Sequence, residues 1–116
     1  MRGSKTMYER LSAVTAPLSV PLSYGAFDRD RYPDDVPLPY AIYMGSGADT
    51  MGADNHVYYA QNGIRLEYYF KQKDELKESA LEDGLTNADF YWDKSGDVAI
   101  PEEGIYVIYY ALQYIN

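Results

Sequence analysis

Apolar positions recur with two different periods along this chain, and the longest apolar run is the last one. Gly104 to Ile115 reads GIYVIYYALQYI. In a strand, Ile105, Val107, Tyr109 and Ala111 fall on one side. Tyr106, Ile108, Tyr110, Leu112 and Tyr114 fall on the other, because successive side chains alternate. A strand with one wet face carries polar residues at every second position, and this run does not. The pattern predicts a strand covered on both sides, by helices, by another sheet or by a second subunit.

Helical spacing occurs twice. Thr6-Met7-Tyr8-Glu9 has the form of a capping box, and Tyr8, Leu11, Val14 and Thr15 follow as a stripe until Pro17 and Pro21. A helix is expected over about Met7–Ala16. Asp74 is placed to cap a second helix, with Leu76, Ala80 and Leu81 inward. It ends with Gly84 at C′ and Leu85 packing back. Alternatively it runs on to Asn87, at a cost of about 1 kcal/mol for the internal glycine.

Strand spacing covers most of the rest. Val20–Phe27 is a strand candidate with Val20, Leu22 and Tyr24 on one side. Asp28–Pro39, with four Asp, two Arg and three Pro, reads as a surface connection, since each proline pushes its predecessor away from helix. Leu38–Met44 is the next strand, and Pro39 puts its start at an edge or first position. Gly45–Asn55 is a Gly/Asp loop. His56–Gln61 and Ile64–Lys71 flank Asn62-Gly63, a hairpin signal. Ile64, Leu66, Tyr68 and Phe70 share one face there, and Arg65, Glu67, Tyr69 and Lys71 a wetter one. Short strands Phe90–Lys94 and Val98–Ile100 flank the turn Ser95-Gly96-Asp97. The order predicts one α+β domain over 7–116, a mainly antiparallel sheet with two helices packed on it. Met1–Lys5, MRGSK, resembles an expression leader, so residues 1–6 are set aside from functional argument.

Composition narrows the function classes. The 116 residues are 47% hydrophobic, which fits a folded domain. The chain has no cysteine, which removes disulfides and thiolate metal sites. Ten basic against 18 acidic residues give a formal charge of −8. Phosphate binding needs clustered Lys and Arg, so tight nucleic-acid binding is not expected. Such acidity does suit a passage through which DNA slides. No apolar run reaches membrane-span length.

Candidate chemistry is sparse. His56 is the single histidine, so a triad or a histidine acid–base mechanism passes through it; Asp54 is near and seven serines exist, but no G-x-S-x-G elbow. Asp49, Asp54 and Asn55 offer oxygen ligands, but their spacing misses the EF-hand pattern, and these residue types also build ordinary turns. Gly45-x-Gly47 matches neither phosphate-binding fingerprint. No catalytic, cofactor or metal residue is therefore assigned.

Fourteen tyrosines are many for one small core. Tyrosine favours strands but also interfaces, where it joins contact area to a polar tip. Tyr58, Tyr106, Tyr110 and Tyr114 are the expected aromatic contact face. Asp28, Arg29, Arg31, Asp34 and Asp35, with Asp49, Met51, Asp54 and Asn55 of the Gly/Asp loop, are the expected loop contacts.

Ala53-Asp54-Asn55 before Tyr58, then Tyr68-Tyr69, Lys73-Asp74 and the Glu-rich stretch Glu75–Glu82, resemble the small tail completion proteins of long-tailed phages and Gram-positive prophages, also called tail terminator or head–tail joining proteins. Pro39-Tyr40-Ala41-Ile42-Tyr43 is similar to that family's entry into its first core strand; Phe70 stands where its pattern has threonine. The resemblance implies a non-enzymatic virion structural protein of the tail and neck, assembled in the bacterial cytoplasm. Its subunits would form a ring, expected to be hexameric, that caps the tail tube and joins it to the head connector, with no cofactor.

Overall fold

A computed structural model describes residues 5–27, 36–45 and 63–114. The chain runs α1 (Met7–Thr15), a 3-10 turn (Ala16–Leu18), β1 (Leu22–Tyr24), β2 (Tyr40–Gly45), β3 (Gly63–Phe70), α2 (Glu75–Asn87), β4 (Phe90–Lys94), β5 (Val98–Ile100) and β6 (Ile105–Tyr114). The six strands form one sheet in the order β1-β2-β3-β6-β4, with β5 also on β6. Only β1 and β2 pair in parallel. This is the expected α+β fold with a mostly antiparallel sheet.

Local sequence explains the ends of the elements. Both halves of the capping box on α1 are made: Thr6 Oγ1 accepts from Glu9 N at 3.1 Å, and Glu9 Oε1 accepts from Thr6 N at 2.8 Å. At the start of α2, Asp74 accepts from Lys77 N. The second helix runs through Gly84 to Asn87, as in the longer of the two readings. A Cβ on Gly84 would stand 2.8 Å from Val14 Cγ1, so the missing side chain is what lets the helices approach. Gly104, at φ +69, closes the tight link from β5 to β6, a conformation glycine adopts without steric cost.

One inward assignment fails. Leu76 is 85% exposed, whereas the buried residues of α2 are Glu78, Leu81 and Leu85. Two residues before Glu78 is just over half a helical turn away, so Leu76 faces off the sheet. The helix therefore turns a carboxylate inward: Glu78 Oε1 meets Lys73 Nζ at 2.9 Å, while Oε2 has no hydrogen bond.

The strand expected over His56–Gln61 lies outside the described residues. Both edges of β3 are taken, by β2 from Tyr40↔Tyr69 to Gly45↔Ile64 and by β6 from Gly63↔Gln113 to Phe70↔Tyr106. No edge of it is left for a hairpin partner across Asn62-Gly63.

The sheet's two faces differ. Ala41, Tyr43, Ile64, Leu66, Tyr68, Phe70, Phe90, Ile108, Tyr110 and Leu112 point to the side where Leu11 and Val14 of α1 and Leu81 and Leu85 of α2 pack, and these residues form the core. On the opposite side no described helix or strand lies over the sheet. The helices cover one face of the final strand; on its other face Ile105 and Val107 are buried, as expected of a strand covered on both sides, while Tyr109 and Ala111 are exposed.

Candidate functional site

The second face is set by strand register. Across it, Met44, Arg65, Ala111 and Asp93 stand in one row on β2, β3, β6 and β4. Ile42, Glu67 and Tyr109 form the next. Tyr40, Tyr69, Val107 and Val98 form a third. Apart from Arg65, Glu67 and Asp93, these positions are apolar or aromatic, although no described helix or strand covers this face.

Burial divides this face in two. Toward the start of β6 it is closed: Ile105, Val107 and Glu67 are all buried. Toward the end of β6 it is open. Tyr109 is 37% exposed and Tyr91 66%, and Arg65, Asp93 and Ala111 are exposed. Because Ala111 is small, a notch of about 320 Å³ lies between Arg65 and Asp93, walled by Tyr109 and Ser95.

A polar ladder crosses the middle of the face along β3. Glu67 Oε2 pairs with Arg65 Nε at 3.0 Å, and Glu67 Oε1 accepts from Tyr69 Oη at 2.7 Å. The Tyr69 ring stacks on Tyr40 with centroids 5.0 Å apart. Burial, and then the bond to Glu67, push the Tyr69 hydroxyl's pKa well above its usual value. The Glu67 carboxylate is thus satisfied at both oxygens, and covering the face would not strand it without partners. The Arg65 guanidinium keeps its two outer nitrogens unengaged among the described residues.

A β-bulge shapes the open edge. Lys94 to Val98 spans four steps where Tyr110 to Val107 spans three, so one residue is extra. Ser95 fills the gap: its N donates to Tyr109 O at 2.9 Å, and its Oγ accepts from Tyr109 N at 3.0 Å.

The expected contact residues separate accordingly. Tyr106 is half-exposed at the sheet's end, stacked on Phe70 at 5.6 Å. Tyr110 is fully buried beneath the helices, and its hydroxyl donates to Glu82 Oε2 at 2.7 Å. Tyr114 is half-buried, with Arg10 over its ring and Phe90 against its edge. Tyr110 and Tyr114 therefore belong to the core side, because the face that looked spare in the sequence is the one the helices cover. Asp28, Arg29, Arg31, Asp34, Asp35, Asp49, Met51, Asp54, Asn55, His56 and Tyr58 lie outside the described residues. Among the described residues no group of three or more His, Cys, Asp or Glu is placed to hold a metal, and no helix is long and apolar enough to cross a membrane.

The open patch of Arg65, Tyr91, Asp93, Tyr109 and Ala111 was only partly marked in the sequence. Period-2 spacing put Arg65, Glu67 and Tyr69 on one wetter side. Asp93 joins them only through pairing with a strand 18 residues away at Ala111. Comparison of the chain with protein-family models, curated proteins and solved structures finds no match.

Proposed function

We propose that this protein is a non-enzymatic assembly subunit, one that caps the head-proximal end of a phage tail tube as a ring and joins it to the head connector. The observation that carries the assembly reading is the second face of the sheet. It is aromatic, it holds its one charged ladder already satisfied, and half of it is open to water. Its open half exposes Tyr91 and Tyr109 beside Arg65 and Asp93, and aromatic residues with arginine are enriched at contact surfaces. Tyrosine there gives contact area at low entropic cost.

The tail assignment draws on the motifs from Pro39 to Glu82 that resemble tail completion proteins, and on the charge of −8. An acidic ring would let DNA pass without gripping it, since attraction to phosphate needs clustered cations. The ring is expected to be hexameric, with the tube protein and the head connector as partners, in the virion and during assembly in the host cytoplasm. A ring needs two different patches per subunit, so the face supplies one of them at most. The notch between Arg65 and Asp93 also favours a second reading, a module or minor tail component that takes a peptide from another protein there.

Negative-stain microscopy of purified tail tubes mixed with the chain tests the tail assignment. Tubes ending in a ring or a plug of density support it. Tubes left uncapped by folded protein overturn it.

A further inference from the structure

We infer that, before it meets a partner, the open half of this face is closed by a second copy of the same chain, about a two-fold axis lying between the two sheets and parallel to β6. The inference rests on the assembly reading of this face and names its occupant.

The reasoning starts from the row Arg65, Ala111, Asp93. A cation and an anion stand on either side of a small residue, two strand spacings or about 10 Å apart. No ion pair joins them. Arg65 spends its Nε on Glu67, and Asp93 uses Oδ1 on its neighbour's backbone, Lys94 N at 2.9 Å. Each therefore presents a charge to whatever covers the notch.

Symmetry then selects the partner. Two copies can meet face to face about an axis that lies in the interface plane. An axis across the strands, through this row, would set Arg65 on Arg65 and Asp93 on Asp93. An axis along β6 reverses the row, so Arg65 of each copy meets Asp93 of the other, twice per dimer. Ala111 then meets Ala111 on the axis, where a larger residue would hold the sheets apart, and Tyr109 meets its own mate beside it. The strands of the two copies remain roughly aligned, and the contact is confined to the open ends of β6 and β4, since Ile105, Val107 and Glu67 are already buried within each chain. The chain is self-complementary in this orientation and self-repelling in the other, the charge pattern by which interfaces fix register.

A two-fold pair is closed and cannot grow into a ring. It keeps the aromatic face out of water, and a tube end that binds the face must displace the second copy.

Sedimentation equilibrium on three samples tests this. Wild type is expected to be a dimer. Asp93→Arg puts two cations together at each contact, and Arg65→Asp puts two anions; each should raise the dimer dissociation constant on the order of tenfold or more. An equimolar mixture of the two variants restores both opposite-charge pairs and should recover the dimer, as a heterodimer. Because Arg65→Asp also frees Glu67, Ala111→Arg is the companion variant: it sets two cations against each other on the axis at an exposed position, and should leave the fold intact by circular dichroism and the chain monomeric. A wild type that stays monomeric at its highest soluble concentration overturns the inference. So does a dimer whose affinity ignores Asp93→Arg and Ala111→Arg, or a mixture that fails to re-associate when both variants are folded. Uncapped tubes together with a charge-swappable dimer would sink the tail assignment and leave this pairing standing.

Discussion

Tyr110 shows what a single side chain does in this fold. It is buried between sheet and helices, and its hydroxyl is held by Glu82, which also meets Lys94 Nζ at 2.6 Å. Burial, and then Glu82, raise its pKa well above the usual value. Tyr68 is raised to about 12, by burial first and then by Glu78. Tyr43 and Tyr69 are raised as well, burial again being the leading cause. The unfolded chain ionises its tyrosines near pH 10. The folded state holds these four protonated to higher pH, so their contribution to stability is complete below about pH 10 and is lost as pH rises toward 12. A titration of phenolate absorbance should therefore show a set of tyrosines that ionise late and together, as the helical circular dichroism collapses. A smooth titration of all fourteen near pH 10, with the fold intact, would contradict these environments. At this scale the sequence was legible in part. Alternation sorted Tyr110 from Tyr109 correctly, but only the helices' position says which of the two is inside.

Between elements, Gly84 is the most informative contact. Alanine there gains about 1 kcal/mol of helix propensity. Its Cβ, however, meets Val14 Cγ1 at 2.8 Å, and the β-branched Val14 has little rotamer freedom in a helix. Overpacking of this kind costs about 1–3 kcal/mol. Gly84→Ala should thus lower stability by about 1 kcal/mol in urea unfolding, and the same change in a Val14→Ala background should raise it. Stabilisation in both backgrounds would mean that the helices do not approach at this point. The described helices and strands were readable in outline from caps, prolines and periods, but the first of the two readings stopped α2 at Gly84, and its run to Asn87 was only the alternative. Two features were not legible. Asn62-Gly63 has strong local hairpin chemistry, yet both edges of β3 belong to strands distant in sequence, and tertiary pairing overrides a local turn signal. The bulge at Ser95 depends on the count of residues on two strands at once, which neither strand carries alone.

For the whole molecule, the organising fact is that both helices pack on one side of the sheet. The last strand, apolar on both faces in sequence, is therefore buried on one and half open on the other. Composition and periodicity made the α+β fold legible. They left the open patch hidden, since Arg65, Asp93 and Tyr109 come onto one surface only once β3, β6 and β4 are laid side by side. The central claim is that this open patch is where the protein joins other chains. Hydroxyl-radical footprinting of dilute free chain and of chain bound to tail tubes tests it directly, with Tyr24, which is 65% exposed on the opposite face, as the internal standard. The expected result is strong protection of Tyr109 and Tyr91 on assembly, with Tyr24 less affected. Tyr109 and Tyr91 as reactive in the assembled particle as in the free chain would contradict it.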